Sequence, residues 1–256
     1  MAFKAEQLAA DADQLVATMG LRPDWPNLGV ISLAHSYGFS NLVLPLLLQG
    51  IPLILAPSPL PEILRRAALG EAAITLPAVP ALWSAWQEAG VIPPGMRLAI
   101  SAGAPLPAAL EQTVWRQCGL KIHNFYGSSE CGGIAYDTGD QPRDEDAFVG
   151  MPVRDVSLSI QADGCLQIQS RAVGETYWPE PSEALAGGCF RTTDLAELSE
   201  GRVYLRGRAG DLINVAGRKV APESIERALG QHPQVRDCLV FGVPSPDADR
   251  TELIVA

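Results

Sequence analysis

The chain has 256 residues, of which 47% are hydrophobic and 19% are charged. This composition predicts a soluble globular protein with a substantial core and argues against extensive disorder, and the length allows one large domain or two. The formal net charge of −10 disfavours nucleic acids and anionic membranes as partners, because it leaves no basic stripe to displace counterions from phosphates, although a nucleotide can still bind locally.

The N-terminal segment and the cysteines predict a cytoplasmic protein. Residues 1–20 mix charged with apolar side chains, which is typical of an amphipathic helix and not of the apolar core of a signal peptide. The most apolar window, residues 42–55, is broken by prolines and a glycine into pieces too short to span a bilayer, so no membrane insertion is expected. The cysteines form no Cys-x-x-Cys pair and no zinc-like cluster with histidine, so reduced thiols are expected at Cys118, Cys131, Cys165, Cys189 and Cys238.

Predicted strands and helices alternate in the first half of the chain. After the N-terminal helix, the predicted strands are Gly29–Leu33, Ile51–Leu55, Ala73–Thr75, Leu98–Ser101 and Lys121–Asn124. The predicted helices between them are Phe39–Leu48, Leu60–Leu69, Pro80–Ala89 and Pro105–Gln117. Because this alternation is typical of parallel strands joined by helical crossovers, we expect an α/β region over about residues 1–140.

The character of the sequence changes after Gly150. Short segments separated by turns predict a small antiparallel β-barrel or sheet, with strands at Val156–Gln161, Cys165–Ser170 and Val203–Leu205. The rest of the chain predicts an incomplete α+β unit, which consists of a hairpin over residues 211–220, a helix at Pro222–Gly230 and strands at Val235–Val243 and Glu252–Ala256.

Two short motifs follow predicted strands, at the edge where open α/β sheets bind their ligands. The run from His35 to Phe39 offers one imidazole and two aromatic rings, which suit a carboxylate with a hydrophobic tail, although a lone histidine is more often structural. The run from Ser101 to Leu106 consists of small residues that let the backbone approach a flat ring, although an ordinary strand-to-helix loop has the same composition.

A third motif, Asn124 to Glu130, contains an aromatic ring, a glycine, two hydroxyls and an acid within seven residues. Tyr126 can stack on a base, Ser128 and Ser129 can donate hydrogen bonds to a phosphate, and Glu130 can hold Mg²⁺. The alternative interpretation is a solvated turn with a capping serine.

The segment from Phe190 to Pro222 contains an acid at Asp194, a Gly207-Arg208 pair and a hairpin that closes before a helix. Taken alone it fits a surface hairpin with solvated charges. Its order nevertheless resembles the acyl-adenylate-forming (AMP-binding) superfamily, in which Arg-Thr-Gly-Asp precedes Gly-Arg-x-x-Asp-x-Ile-x-x-x-Gly-x-x-Val-x-Pro-x-Glu-Ile-Glu. The Tyr126 motif is similar to the family's Tyr-Gly-x-Thr-Glu, and Gly150-Met151-Pro152 is similar to its Gly-x-Pro, for which we predict a turn. The departures are Thr193 for glycine, Ser129 for threonine and Ser224 at a variable position.

The resemblance implies a role for each motif. Nucleotide-binding roles fall on Gly103, Ala104, Pro105, Asn124, Phe125, Tyr126, Gly127, Ser128, Ser129, Asp194 and Arg208. It implies catalytic roles for His35 and Glu130, with Glu130 as the Mg²⁺ ligand. The implied acyl pocket consists of His35, Tyr37, Phe39, Cys131 and Gly132, and a hinge and thiol tunnel are implied at Gly210, Asp211 and Gly217.

The resemblance also implies a domain division and an activity. Residues 1–206 would be part of an N-terminal adenylate-forming domain, and residues 207–256 a hinge and part of a C-terminal subdomain. The implied protein is an acyl-CoA synthetase-like ligase that uses ATP and Mg²⁺ to convert a hydrophobic carboxylic acid into acyl-AMP, and passes the acyl group to CoA or to the pantetheine arm of an acyl carrier protein.

Two parts of the family's machinery, a phosphate loop ending in lysine and a segment with a catalytic lysine, have no counterpart in residues 1–256. We therefore expect adenylation by these residues alone to be impaired. The alternative is a non-catalytic module that binds AMP or acyl-AMP, or one part of a complex that needs a second chain.

Overall fold

The computed structural model describes residues 1–70, 73–215, 218–230, 232, 234–235, 238–244 and 252–256. Its first part is a parallel sheet in the strand order β2-β1-β3-β4-β5. These strands are β1 (Asn27–Gly29), β2 (Leu53–Leu55), β3 (Ile74–Ala78), β4 (Met96–Ser101) and β5 (Ile122–Ser128). The predicted parallel α/β region is therefore confirmed, and β5 runs through the Tyr126 motif instead of ending at Asn124.

Helices cover both faces of the parallel sheet. They are α1 (Ala5–Met19), α2 (Ser36–Gly38), α3 (Leu44–Gln49), α4 (Pro61–Ala67), α5 (Pro80–Glu88) and α6 (Ala108–Cys118). Prolines begin α4 and α5, where a missing backbone N–H costs nothing and the fixed φ suits the first turn. Helix α6 begins three residues later than predicted, at Ala108, whose N–H donates to Asp146 Oδ1 over 2.7 Å.

A π-helical turn, Phe39–Val43, joins α2 to α3 without a break. The Leu44 N–H donates to the carbonyl of Phe39, five residues back, instead of to the residue four back. Such wide turns inside α-helices recur at functional sites. This one holds two polar side chains, Ser40 and Asn41.

Two buried clusters pack on opposite faces of the sheet. Because neighbouring side chains of a strand point to opposite faces, β4 contributes Ile100 to one cluster and Ala99 to the other. The first cluster includes Leu15 of α1 and continues into the antiparallel part of the fold. The second packs α4, α5 and α6 and includes Trp83 and Trp86.

The second part of the chain continues the same sheet with antiparallel strands, in the order β5-β6-β7-β12-β11-β9-β8, with β10 paired to β11. These strands are β6 (Gly132–Tyr136), β7 (Phe148–Pro152), β8 (Ser157–Ile160), β9 (Cys165–Gln169), β10 (Leu185–Ala186), β11 (Cys189–Ser199) and β12 (Arg202–Arg208). Among the described strands the path stays open between β2 and β8, so the antiparallel sheet is confirmed and the barrel alternative is not.

The Gly150-Met151-Pro152 segment lies within β7, so the predicted turn there was wrong. A Cβ atom on Gly150 would lie 2.2 Å from the carbonyl carbon of Tyr136 in β6, and φ at Gly150 is +128°. The glycine therefore serves the close approach of two strands, a need that the sequence pattern does not distinguish from a turn.

The C-terminal elements are β13 (Ile213–Val215), β14 (Arg218–Val220), α7 (Pro222–Gly230), β15 (Phe241–Pro244) and β16 (Glu252–Val255). They form two antiparallel hairpins beside one helix. The strand predicted from Val235 begins only at Phe241, because Val235 itself is held at the end of a turn by the carbonyl of His232. Gly217 lies outside the described residues, and the division at residue 206 stays a prediction.

A buried group of four charges, which we call the ion cluster, consists of Glu111, Lys121, Asp137 and Arg143. Lys121 Nζ donates to Glu111 Oε1 and, over 2.5 Å, to Asp137 Oδ2. Arg143 Nε donates to Glu111 Oε2 over 2.7 Å, and its other nitrogens donate to backbone carbonyls of residues 106 and 148. The ion cluster fastens the loop after β6 to α6 and to the start of β5.

Within the described part of the chain, every helix is too short or too polar to cross a membrane.

Candidate functional site

A cavity of about 300 Å³ opens beyond the ends of β4 and β5. Its lining residues come from the start of α2, the π-helical turn, the β4–α6 loop, the end of β5, the β5–β6 turn, the start of β6, β11 and β12. They are His35, Ser36, Tyr37, Ser40, Asn41, Ala102, Gly103, Phe125, Tyr126, Gly127, Ser128, Ser129, Glu130, Gly132, Asp194 and Arg208. Carboxyl ends of parallel strands are where open α/β sheets bind ligands, so this position fits a substrate site.

An aromatic ring, an acid and a cation form one side of the cavity. The Tyr126 hydroxyl donates to Asp194 Oδ2, and Arg208 Nε donates to Asp194 Oδ1 over 3.1 Å. Burial, followed by the charge of Asp194, raises the pKa of Tyr126 well above its usual value, so the phenol stays protonated and keeps donating. The Asp194 side chain is 18% exposed, and a carboxylate has about four acceptor positions, so it can accept further hydroxyl groups from a ligand.

The β5–β6 turn presents hydroxyl groups and a carboxylate. Ser128 Oγ accepts the Glu130 N–H over 3.3 Å, and Ser129 Oγ donates to Ser36 Oγ over 2.8 Å. Glu130 Oε1 accepts the Tyr177 hydroxyl over 2.8 Å. Burial and then this hydrogen bond to Glu130 raise the pKa of Tyr177 to about 12, so the phenol remains a donor.

The described residues contain no group of three or more acidic, histidine or cysteine side chains that could hold a metal ion. Magnesium is usually held by one or two carboxylates together with phosphate oxygens and water, so a single acid does not exclude it. Glu130 beside the Ser128 and Ser129 hydroxyls therefore fits Mg²⁺ when a phosphate-bearing ligand supplies the remaining oxygens.

Gly132 and Asp11 shape the floor of the cavity. Gly132 has φ +68°, and a Cβ atom there would lie 2.0 Å from Asp11 Oδ1, so a side chain at this position would displace Asp11. Asp11 of α1 accepts the Gly133 N–H over 3.0 Å. Its burial raises the pKa of the Asp11 carboxyl. One buried acid thus joins α1 to the start of β6.

The polar groups on the wall formed by α2 and the π-helical turn are not all hydrogen-bonded to the same extent. His35 Nδ1 accepts the Tyr37 N–H over 3.2 Å and so caps the helix. The Tyr37 hydroxyl lies 3.4 Å from the carbonyl oxygens of both Ala78 and Ile100, and burial raises its pKa well above the usual value.

Asn41 is only 2% exposed, and neither of its side-chain amide atoms has a hydrogen-bond partner among the described residues. An unsatisfied buried polar group costs about 1–3 kcal/mol.

The structure brings together most of the residues predicted for the site. The cavity is lined by His35, Tyr37, Gly103, Phe125, Tyr126, Gly127, Ser128, Ser129, Glu130, Gly132, Asp194 and Arg208. Since contact with a cavity does not by itself establish a role, the individual roles stay predictions.

Other predicted residues lie away from the described lining. Asn124 is buried and donates to the carbonyl of Val149 over 3.3 Å, so it joins two strands. Cys131 belongs to the hydrophobic core, where burial raises its pKa to about 12. Phe39 is half-buried in the π-helical turn, and Ala104 and Pro105 are exposed in the β4–α6 loop. Gly210 and Asp211 form a turn after β12.

Sequence reasoning missed Ser40 and Asn41, although the signal was present. They lie four residues after Ser36 and Tyr37, and side chains four apart share a helix face. The predicted helix began only at Phe39, so this period was not carried back to Ser36 and Tyr37. Applying the helical period to the His35 motif would have placed both residues on the same wall.

Comparison with known proteins points to a family for this chain. The sequence profile of the family described as AMP-binding enzyme matches residues 4–182. Triostin synthetase I of Streptomyces triostinicus is 33% identical over 186 residues, which cover 65% of this chain and 35% of that protein. Long-chain-fatty-acid–CoA ligase FadD15 of Mycobacterium bovis is 37% identical over 156 residues, which cover 59% of this chain and 26% of that protein.

The fold also matches solved structures. The o-succinylbenzoate CoA synthetase MenE of Bacillus subtilis, solved in complex with its acyl-adenylate intermediate OSB-AMP, superposes with a TM-score of 0.87 at 20% identity. The superposition covers 98% of this chain and 54% of that protein. The chain thus spans about half the length of this structural relative, and the aligned segments span about a third or less of the two sequence relatives.

Proposed function

Because the chain belongs to the AMP-binding enzyme family, we propose that it provides the nucleotide and acyl site of an AMP-forming acid–thiol ligase. The observation that carries the proposal is the grouping of Tyr126, Asp194 and Arg208 on one side of a cavity whose rim is the Ser128–Glu130 turn. An aromatic face, a hydroxyl-accepting acid and a cation match the base, the ribose and the phosphate of a nucleotide in turn.

The proposed reaction has two steps. A carboxylate oxygen of the acid attacks the α-phosphorus of ATP, the bond to pyrophosphate breaks, and acyl-AMP forms. A thiol of CoA or of carrier-protein pantetheine then attacks the acyl carbon, loses its proton, and releases AMP. Both steps develop negative charge on oxygen, which preorganised donors stabilise.

The residues of this chain take separate parts in that reaction. The Tyr126 ring stacks on the adenine, with Gly103 and Ala102 across the cavity, while Asp194 accepts the ribose hydroxyls. Arg208 donates to the ribose or the phosphate. Bound Mg²⁺ would supply charge neutralisation at the phosphates, and Glu130 is the side chain that would hold it.

In this proposal the acyl portion lies against the α2 wall and His35 contacts the reacting carboxylate. In support, His35 is exposed and lines the cavity. The turn at Gly210 and Asp211 is the proposed hinge, and Gly217 the proposed lining of the thiol tunnel. We also propose a cytoplasmic location.

Calorimetric titration with a non-hydrolysable acyl-adenylate analogue tests the nucleotide site directly. Tyr126→Ala and Asp194→Ala should each weaken binding by about fivefold or more, which corresponds to about 1 kcal/mol. Asp163→Ala is the matched control, because Asp163 also pairs with an arginine of β11, Arg191, but is exposed and absent from the described cavity lining. Equal affinity of all four proteins, or no binding by any of them, would contradict the proposal.

Magnesium-dependent release of pyrophosphate from ATP, measured on the same preparations, separates a ligase from a binding module. Analogue binding without pyrophosphate release would favour a module that holds AMP or acyl-AMP or acts together with a second chain.

A further inference from the structure

We propose that Asn41 selects an acid that carries a neutral hydrogen-bonding group, such as a hydroxyl or a carboxamide, away from its reacting carboxylate. This inference rests on the proposed function and narrows its substrate class. The general fit of the pocket to an apolar acyl tail does not account for a buried amide on its wall.

The position of the Asn41 side chain carries the inference. Asn41 lines the cavity, is 2% exposed, and has no partner for either amide atom in the described part of the chain. Buried polar groups in folded proteins are almost always hydrogen-bonded, so an unpartnered amide on a residue that lines a cavity leads us to look for its partner in a ligand of that cavity. The amide can both donate and accept, which matches a hydroxyl or an amide on a ligand.

The neighbouring polar groups on that wall already have partners. Ser36 accepts from Ser129, and the Tyr37 hydroxyl faces two carbonyl oxygens. The Asn41 main chain is fixed as well, because its carbonyl accepts from Asn27 Nδ2 over 3.2 Å. The main chain at Asn41 is therefore held in place, and its side-chain amide keeps unused hydrogen-bonding capacity in the described part of the chain.

The charges around the cavity favour a neutral group over a second carboxylate. The lining contains the two acids Glu130 and Asp194, and the cation Arg208 is already paired with Asp194. If the ligand carried a second carboxylate next to Asn41, that carboxylate would meet a neutral amide and an excess of negative charge in the cavity. An alkyl tail of the same length would leave the amide unsatisfied and so bind less tightly.

The test compares two non-hydrolysable acyl-adenylate analogues of equal chain length, hexanoyl and 6-hydroxyhexanoyl, with AMP as the third ligand. The wild-type protein should bind the hydroxylated analogue at least about tenfold more tightly than the alkyl one, a difference of about 1.4 kcal/mol. Asn41→Leu should abolish or reverse that preference and leave AMP affinity unchanged. A carboxamide-bearing analogue extends the comparison to the second neutral group.

Thermal unfolding of the ligand-free proteins gives a second readout. Since Asn41→Leu replaces an unpaired buried amide by an apolar side chain of similar size, we expect its melting temperature to rise. A lower melting temperature would show that the amide serves the fold, for example by binding a buried water, and would overturn the proposal.

The outcomes for the two proposals are distinguishable. If AMP and both analogues bind with equal preference for the two tails, the Asn41 inference fails while the nucleotide site stands. If AMP and both analogues fail to bind, the proposed function and this inference fall together.

Discussion

The two ends of strand β5 carry polar groups of similar kinds in opposite states. At its start, Lys121 lies in the ion cluster, where Glu111, Asp137 and Arg143 are buried and paired. At its other end, the chain from Tyr126 to Glu130 borders an open cavity.

The difference shows what marks a binding site in this fold. Buried charges at the start of β5 satisfy one another and fasten a loop, so a ligand has little to gain there. At the far end, Asp194 and Glu130 keep acceptor capacity and Asn41 has both amide atoms free among the described residues. Unused hydrogen-bonding capacity beside a cavity, and not polarity as such, distinguishes the end of β5 where we propose the site.

Glu111→Ala tests the closed end and should have the largest effect. It leaves Asp137 as the one acid of the ion cluster beside the two buried cations Lys121 and Arg143. Loss of one partner from a buried ion pair costs about 3–5 kcal/mol. Urea denaturation should show this loss as a fall in the free energy of unfolding. Glu62→Ala, which removes exposed ion pairs on α4, is the control and should leave the denaturation midpoint nearly unchanged. Equal losses of stability in Glu111→Ala and Glu62→Ala would contradict the structural role assigned to the ion cluster.

Glu130→Gln tests the open end. The amide oxygen can still accept the Tyr177 hydroxyl, so the free energy of unfolding should change by no more than about 0.5 kcal/mol. The Mg²⁺-dependent gain in ATP affinity should fall by at least about tenfold, because the one carboxylate of this turn is lost. Calorimetry with and without Mg²⁺ measures it. A large loss of stability with an unchanged Mg²⁺ effect would make both ends of β5 structural.

Asp11→Asn should have the smallest effect of the three substitutions. It sharpens the comparison between polar groups that are fully paired and polar groups that are not. Burial raises the pKa of Asp11 above its ordinary value of 3.8, so its contribution to stability is present below about pH 4 and is lost as the pH rises through the raised pKa. Asparagine keeps an acceptor for the Gly133 N–H without a titrating charge. Stability at pH 7 should therefore be equal or slightly higher, with a flatter dependence on pH.

Asp13→Asn is the matched control for Asp11→Asn, because Asp13 is exposed on the same helix and should leave the wild-type pH dependence intact. Chemical denaturation at several pH values between 4 and 8 checks both variants. A steeper pH dependence in Asp11→Asn would contradict the assignment.

Local patterns predicted the parallel half of the fold well. Alternating apolar strands and helices with proline starts are local signals, and β3, β4 and α5 lie close to their predicted positions. The barrel alternative was not confirmed, because strand pairing depends on long-range contacts that local patterns do not record: β7 pairs with β12, some fifty residues later in the chain. Short antiparallel strands read the same in a barrel and in an extended sheet.

The site residues also divide into those that local motifs indicated and those that depend on three-dimensional packing. Motifs in a fixed order along the chain indicated Tyr126, Asp194 and Arg208, and all three line the cavity. Cys131 was misplaced relative to the cavity because the turn that presents Glu130 sends the next side chain into the core. Asn41 was missed because the predicted helix began at Phe39, too late to carry the helical period from Tyr37 to Asn41. Its unmet hydrogen bonds are visible only in the three-dimensional packing.

The π-helical turn at Phe39–Val43 has a consequence for how such a pocket evolves. It holds one residue more than an α-helical turn would. The α2 part of the pocket wall before the turn and α3 after it therefore keep separate helical registers, and α3 packs on α1. Deleting one residue from the turn would restore α-helical bonding and rotate one side by about 100° relative to the other. Insertion or deletion of a single residue in this turn, and not only substitution, could therefore change which side chain faces the ligand during evolution.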